Sequence, residues 1–225
     1  MRVTVFAPHP DDELIGCGGS VLNWVRAGAE VSVVYLTSGD APVDGKSRDE
    51  LAALREGEAT AGAKLLNVTE LSFLREPDGC LTDGPQVIAK LVGQLRHRRP
   101  NLVYVPHALD DHPDHMATHR LLKRAVNDAA GPWWVEAGLE PWRVETTLAY
   151  EVWTPIPRPT YLEDTTDAID EQLEALAQHR SQLSQVPYDS FVRGLGAYRG
   201  ARLGHGRYAE AFEVLGIQHL PGRAP

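Results

Sequence analysis

Residues 2–13 read RVTVFAPHPDDE. Arg2–Ala7 is short, apolar and rich in β-branched residues, the composition of a buried strand. It runs without a linker into Pro8–Glu13, a cluster of one imidazole, three carboxylates and two prolines. The arrangement recurs a hundred residues later. Asn101–Pro106 (NLVYVP) is a second buried strand, and it runs into His107–His119 (HALDDHPDHMATH). Between and around them lie two more strands, Glu30–Thr37 and Leu71–Leu74. Amphipathic helices are predicted at Gly18–Ala27, Arg48–Leu66, Pro85–Arg98 and from about His115 to Asp128, with Leu51, Leu54, Ala61 and Leu65 near one face of the second. Alternation of strand and helix over some 130 residues predicts an α/β fold. Its expected form is Rossmann-like and doubly wound, a mostly parallel sheet with helices on both faces.

Beyond Gly131 the pattern changes. Trp133, Trp134, Trp142 and Trp153 fall in a proline-containing stretch that reads as a loop plus one strand, Thr146–Trp153. Most of these tryptophans are expected in the core, with sugar stacking as the alternative. A helix over Thr165–Gln185 and a Gly/Arg/Tyr-rich tail follow. The tail arginines, Arg193, Arg199, Arg202 and Arg207, are either anion contacts or ordinary surface. One domain spanning 1–225 is expected, with 1–130 as its core and 131–225 completing the sheet and a pocket.

The composition sets the class of partner. The chain has 225 residues, 43% of them apolar, and a net charge of −9. That is enough apolar material for a sizeable core, and an acidic surface disfavours nucleic acid and anionic membranes, which require basic patches. A small-molecule partner fits. Two cysteines, Cys17 and Cys80, make neither a disulfide framework nor a cysteine-rich zinc site. The first residues do not read as a signal peptide and no stretch is long enough to span a membrane, so a cytoplasmic location is expected. Assembly with further copies of the chain is left open.

In an open parallel sheet, ligands bind beyond the carboxyl ends of the strands, where both polar clusters sit. His9 and Asp12 are three residues apart with a proline between, so both can face one site. An imidazole and a carboxylate suit zinc or ferrous iron. His112 and His115 have the same spacing and the same proline, and one of them would complete a His₂Asp set with an open position for water. Asp11 is then a carboxylate beside the metal. Each cluster alone has a plainer explanation, an Asp capping a helix or a surface histidine; two such clusters at two strand ends do not. Ile15–Gly19 (IGCGG) is not a dinucleotide loop, because acids precede the glycines where a pyrophosphate would sit. The glycines read instead as a place where a helix packs close to the sheet.

At these residues the sequence resembles the LmbE-like / PIG-L family of zinc-dependent N-acetylglucosaminyl deacetylases. The resemblance rests on Pro8-His9-Pro10-Asp11-Asp12-Glu13 followed by Gly16, Gly18 and Gly19, and on His112-Pro113-Asp114-His115. Softer agreements are Thr37–Asp40, Arg55 with Glu58, Pro77-Asp78-Gly79 and His179–Gln182. It implies an LmbE-like fold and Zn2+, with Fe2+ as the alternative. It implies His9, Asp12 and His115 as metal ligands, Asp11 as general base, His112 as the group that polarises the carbonyl or protonates the amine, and Asp114 as the carboxylate that orients His112. Arg55 and Asp78 match substrate contacts. Asp110 stands where some relatives carry a carbonyl-binding tyrosine, which makes it a candidate substrate contact too. The implied reaction removes the acetyl group from an N-acetylglucosamine-like sugar. The alternatives are an amidase or esterase acting on a non-sugar metabolite, and a binding protein that keeps the site without turnover.

Overall fold

The structure is a computed structural model that describes residues 1–42, 45–68 and 70–217. Five parallel strands form its centre: β1 (Arg2–Ala7), β2 (Glu30–Thr37), β3 (Glu70–Glu76), β4 (Leu102–Pro106) and β5 (Thr146–Tyr150). Two further strands, β6 (Tyr161–Asp164) and β7 (Ala209–Ile217), extend the sheet to seven in the order β3-β2-β1-β4-β5-β7-β6. β7 runs antiparallel to both β5 and β6.

The helices are α1 (Asp12–Arg26), α2 (Arg48–Leu65), α3 (Pro85–Arg98), α4 (Pro113–Ala129), α5 (Ile169–Leu176), α6 (Arg180–Leu183) and α7 (Tyr188–Leu203). Side-chain alternation on the central strands divides them between two faces. Val3, Val5, Val33 and Tyr35 pack with α1, α2, α5 and α7 on one side. Phe6, Val34 and Leu36 pack with α3 and α4 on the other. Both faces are covered, which is why β1, β2 and β4 read as continuous apolar runs. Among the described residues no helix is long and apolar enough to cross a membrane.

The expected core and its parallel sheet are present; the ends of several elements differ. α1 begins at Asp12, not Gly18, and is kinked at Cys17 (φ −150°, ψ 20°). Past the kink, the N–H groups of Gly19 and Ser20 are taken up by the buried carboxyl of Glu210 on β7, each at 2.8 Å. The glycine run serves close packing. A Cβ at Gly16 would lie 2.3 Å from both the Glu151 carbonyl oxygen and the Tyr150 ring, and one at Gly19 would lie 2.7 Å from Thr165. On α2 the buried face is Leu51, Arg55, Ala59 and Gly62, whereas Leu54 and Leu65 are exposed.

The last third departs furthest. The single helix over Thr165–Gln185 is two, α5 and α6, broken around His179 (φ −81°, ψ 57°). The tail contains α7 and β7. Among the four tryptophans of the central stretch, Trp133 and Trp153 are exposed and Trp134 and Trp142 half-buried, so none is a fully buried core residue. The loop around the first three is held by the buried guanidinium of Arg96, which donates to the carbonyls of Ala129, Gly131, Trp133 and Trp134.

Candidate metal centre

β1 lies between β2 and β4, so the chain leaves it in one direction and returns on its other side. This is the topological switch point of the sheet, where the loops after neighbouring strands diverge and open a crevice. His9–Glu13 leave β1 and His107–His115 leave β4 into that crevice. The two clusters, a hundred residues apart in sequence, therefore meet.

Three atoms meet most closely. His9 Nδ1 is 3.1 Å from Asp12 Oδ2. His115 Nε2 is 3.3 Å from the same oxygen and 3.3 Å from His9 Nδ1. A tetrahedral ion with bonds of about 2.0–2.1 Å separates its ligand atoms by about 3.3–3.4 Å, so this triangle has the size of one tetrahedral face. The far nitrogens of both rings point to carboxylates. His9 Nε2 is 3.2 Å from Asp114 Oδ2 and 3.0 Å from Asp78 Oδ1. His115 Nδ1 faces Asp110 Oδ1 at 3.2 Å, off the line of an ideal hydrogen bond. Such outer carboxylates place the N–H outward and the lone pair inward, as metal-binding imidazoles require. The histidine triad His9, His112 and His115 and the set His9, Asp78 and Asp114 each bring ligand atoms within 4.8 Å of one another.

The electrostatics call for a cation. Burial lowers the His9 imidazole, but hydrogen bonds to Asp114, Asp12 and Asp78 outweigh it and hold the ring well above its ordinary value. Burial likewise lowers His115, and Asp12 and Asp110 raise it to about 9. Buried carboxylates in this number demand positive charge. A divalent ion would supply it with the rings neutral.

Asp11 has a backbone of its own. Its φ of 126° lies where L-residues are rare. The strain is held by its neighbours: its N–H donates to Glu13 Oε2 at 3.3 Å, Glu13 Oε1 accepts from Tyr35 Oη at 2.6 Å, and its carbonyl accepts from Leu14 and Ile15. Strain of this kind persists only where the surroundings over-determine it. The result aims the Asp11 carboxylate at Arg55, 3.2 Å away. Burial pushes this carboxyl up to about 7 against the pull of the guanidinium.

His112 caps α4. Its Nδ1 accepts the N–H of Asp114 at 3.2 Å, Pro113 begins the helix, and the His112 ring stands 4.7 Å from His9 and 4.8 Å from His115. This corrects one expectation. The Asp114 carboxylate does not hold the His112 ring; it accepts from Gly79 and Leu81 and lies on His9. Only the Asp114 main chain reaches His112. Burial, with His9 and His115 nearby, lowers the His112 imidazole.

The three residues read as substrate contacts separate. Arg55 and Asp78 line the open cleft of about 200 Å³ beside the three candidate ligand atoms. Asp110 does not. It is buried, and its two oxygens accept from the N–H groups of His112 (3.0 Å), Trp153 (2.9 Å) and Thr154 (3.3 Å) while facing His115. It braces the site from behind. Trp153, Gln182 and Tyr188 line the cleft's remaining wall; for Trp153 the sequence offered sugar stacking only as the alternative to core packing. The sequence His179–Gln182 carried a signal too, and its serine shows why. Ser181 donates through N and Oγ to Glu58 at 2.9 and 2.6 Å, stapling α6 to α2 and holding Gln182 at the cleft.

A switch-point crevice that brings two imidazoles and a carboxylate together beside a buried acid defines an α/β protein with a candidate metal site. The family described as PIG-L, GlcNAc-PI de-N-acetylase, matches residues 4–126, and the chain belongs to this LmbE-like family of deacetylases. It is 31% identical to the diacetylchitobiose deacetylase of Thermococcus kodakarensis, over 98% of this chain and 84% of that protein. Its fold matches a conserved protein of Thermus thermophilus with a TM-score of 0.86 at 32% identity, covering 99% of each chain. It matches N,N′-diacetylchitobiose deacetylase of Pyrococcus horikoshii with a TM-score of 0.85 at 30% identity, covering 95% of this chain and 83% of that one.

Proposed function

We propose that the protein is a metal-dependent hydrolase that removes the acetyl group from an N-acetylglucosamine-like sugar, releasing acetate and the free amine. The observation that carries this reading is the triangle of His9 Nδ1, Asp12 Oδ2 and His115 Nε2 beside an open cleft. Membership of a deacetylase family and the similarity to enzymes named for diacetylchitobiose support the sugar. The donor set fits zinc, with ferrous iron as the alternative. When bound, such an ion makes water acidic enough to attack near neutral pH and polarises a carbonyl.

The chain's own groups supply the rest. Asp11, strained into the cleft, accepts the proton of the attacking water. Arg55 holds that carboxylate in place. His112 Nδ1 is occupied by the Asp114 N–H, so its proton sits on Nε2. A second proton on Nδ1 would break this cap. His112 therefore acts as a neutral donor to the developing oxyanion, and Asp11 returns its proton to the leaving nitrogen. Asp78 and Arg55 contact the sugar at the cleft wall.

The test is turnover of N,N′-diacetylchitobiose with metal content measured on the same samples. Asp11→Asn should lose at least about a hundredfold in kcat with metal retained. A chelator should abolish turnover and zinc should restore it. His112→Gln, which keeps a neutral donor, should retain more activity than His112→Ala. A His9→Ala protein with full metal content and full activity would overturn the assignment.

A further inference from the structure

We infer that the cleft selects an uncharged saccharide and discriminates against anionic conjugates of the same N-acetylated sugar. This rests on the proposed deacetylase reading and narrows its substrate class.

The inference comes from the charges that face the cleft. Asp11, Asp12 and Asp78 line it, and Asp110 and Asp114 stand directly behind the candidate ligand histidines. Among the described lining residues Arg55 is the one arginine or lysine, and both its terminal nitrogens already donate within the protein. It donates to the Pro10 carbonyl at 2.8 Å, to Asp11 at 3.2 Å and to the Gly39 carbonyl at 3.3 Å, while its Nε is buried and has no hydrogen-bond partner among the described residues. Five carboxylates against one guanidinium and one divalent ion leave the site negative. None of the tail arginines read as candidate anion contacts lines the cleft. Arg199 is buried against Glu151, and Arg193 pairs with Asp170 at 2.8 Å. Arg48, on the loop side of α2, pairs with Asp40 at 3.1 Å.

The opposite wall is neutral. The Trp153 ring, 40% exposed, lies 5.6 Å from the Tyr188 ring, with Gln182 beside them. The Tyr188 side chain is nearly buried, yet its hydroxyl has no hydrogen-bond partner among the described residues. That hydroxyl lines the open cleft and is free to bond a ligand there. A phenol and an amide that line a cleft, one of them unpartnered, match the hydroxyls of a sugar; the indole face matches its apolar C–H face. No cation stands on this wall to offset the charge of a phosphate or a carboxylate, which would meet Asp78 and Asp11 across the cleft.

The experiment compares kcat/KM of the metal-loaded protein on N,N′-diacetylchitobiose, N-acetylglucosamine and its 1- and 6-phosphates. At low ionic strength both phosphates should be at least about tenfold poorer than N-acetylglucosamine, and added salt should narrow the gap. Gln182→Lys, which places a cation on the neutral wall, should narrow it too. A phosphate ester turned over as well as the neutral sugar, with turnover of the neutral sugars intact, overturns this inference alone. Turnover of none of the four compounds overturns the deacetylase reading, and this inference with it.

Discussion

Asp110→Asn tests whether the residue braces the metal site or touches substrate. The substitution keeps shape and removes one acceptor. In the native protein Oδ1 accepts from the His112 N–H and faces His115 Nδ1, and Oδ2 accepts from the N–H groups of Trp153 and Thr154. An amide has one oxygen, so its NH₂ must confront one of these two pairs. Each buried donor left without a partner costs about 1–3 kcal/mol, and two donors are affected. The Trp153–Thr154 loop is the more exposed side and can yield some of this to water. The expected loss is therefore about 2–4 kcal/mol in stability. If the amide turns the other way, His115 loses its outer carboxylate, and metal affinity should fall by about 10–100-fold. Denaturant unfolding and competition with a chelator measure the two terms separately. A variant with wild-type stability and metal affinity but a raised KM would refute the brace and restore Asp110 as a substrate contact.

Two further outcomes follow from the packing of α1. Gly16→Ala places a Cβ 2.3 Å from the Glu151 carbonyl and the Tyr150 ring; overpacking against main chain should destabilise by about 1–3 kcal/mol, despite alanine's better helix propensity, and a thermal shift of zero would refute the contact. Glu210 is buried, and burial pushes its carboxyl up to about 7 from an ordinary 4.5. Below pH 4.5 both folded and unfolded states keep the proton and nothing is lost. Between about 4.5 and 7 the unfolded chain releases it while the folded protein holds it, so stability falls with rising pH by about 3 kcal/mol. Above 7 the loss is complete. Wild type should shed this between about pH 4.5 and 7 and Glu210→Gln should not; parallel pH dependences in denaturant unfolding would refute the assignment.

Where the sequence pattern succeeded and failed has a physical basis. β1, β2 and β4 are buried on both faces, so their apolar runs are unbroken and easily read. β7 is not. It carries Glu210 and Glu213 within Ala209–Ile217, and a carboxylate that caps a kinked helix from inside a strand cannot be foreseen from alternation. α7 contains Gly194, Gly196 and Gly200 and shows little amphipathic pattern. At Gly200 a Cβ would meet the Arg207 main chain at 2.5 Å, a constraint set by a chain segment not yet placed. Leu54 and Leu65 suggested a face on α2 that is exposed, because the helix turns Arg55 inward to serve the site.

The site divides the same way. His9, Asp11, Asp12, His112 and His115 were legible because proline-fixed spacing at strand ends constrains where their side chains can go. The sequence alone thus determined the doubly wound core and the two clusters that meet at its switch point. Which outer carboxylate serves which ring was decided only by tertiary structure. Asp114 lies on His9 and Asp110 behind His115, because Gly79 and Leu81 on one side and Trp153 and Thr154 on the other supply the N–H groups that fix them. The neutral wall of the cleft was decided there too. Trp153, Gln182 and Tyr188 come from three segments with no shared spacing, and only the closure of the C-terminal third over the switch point brings them to face Asp11 and Asp78.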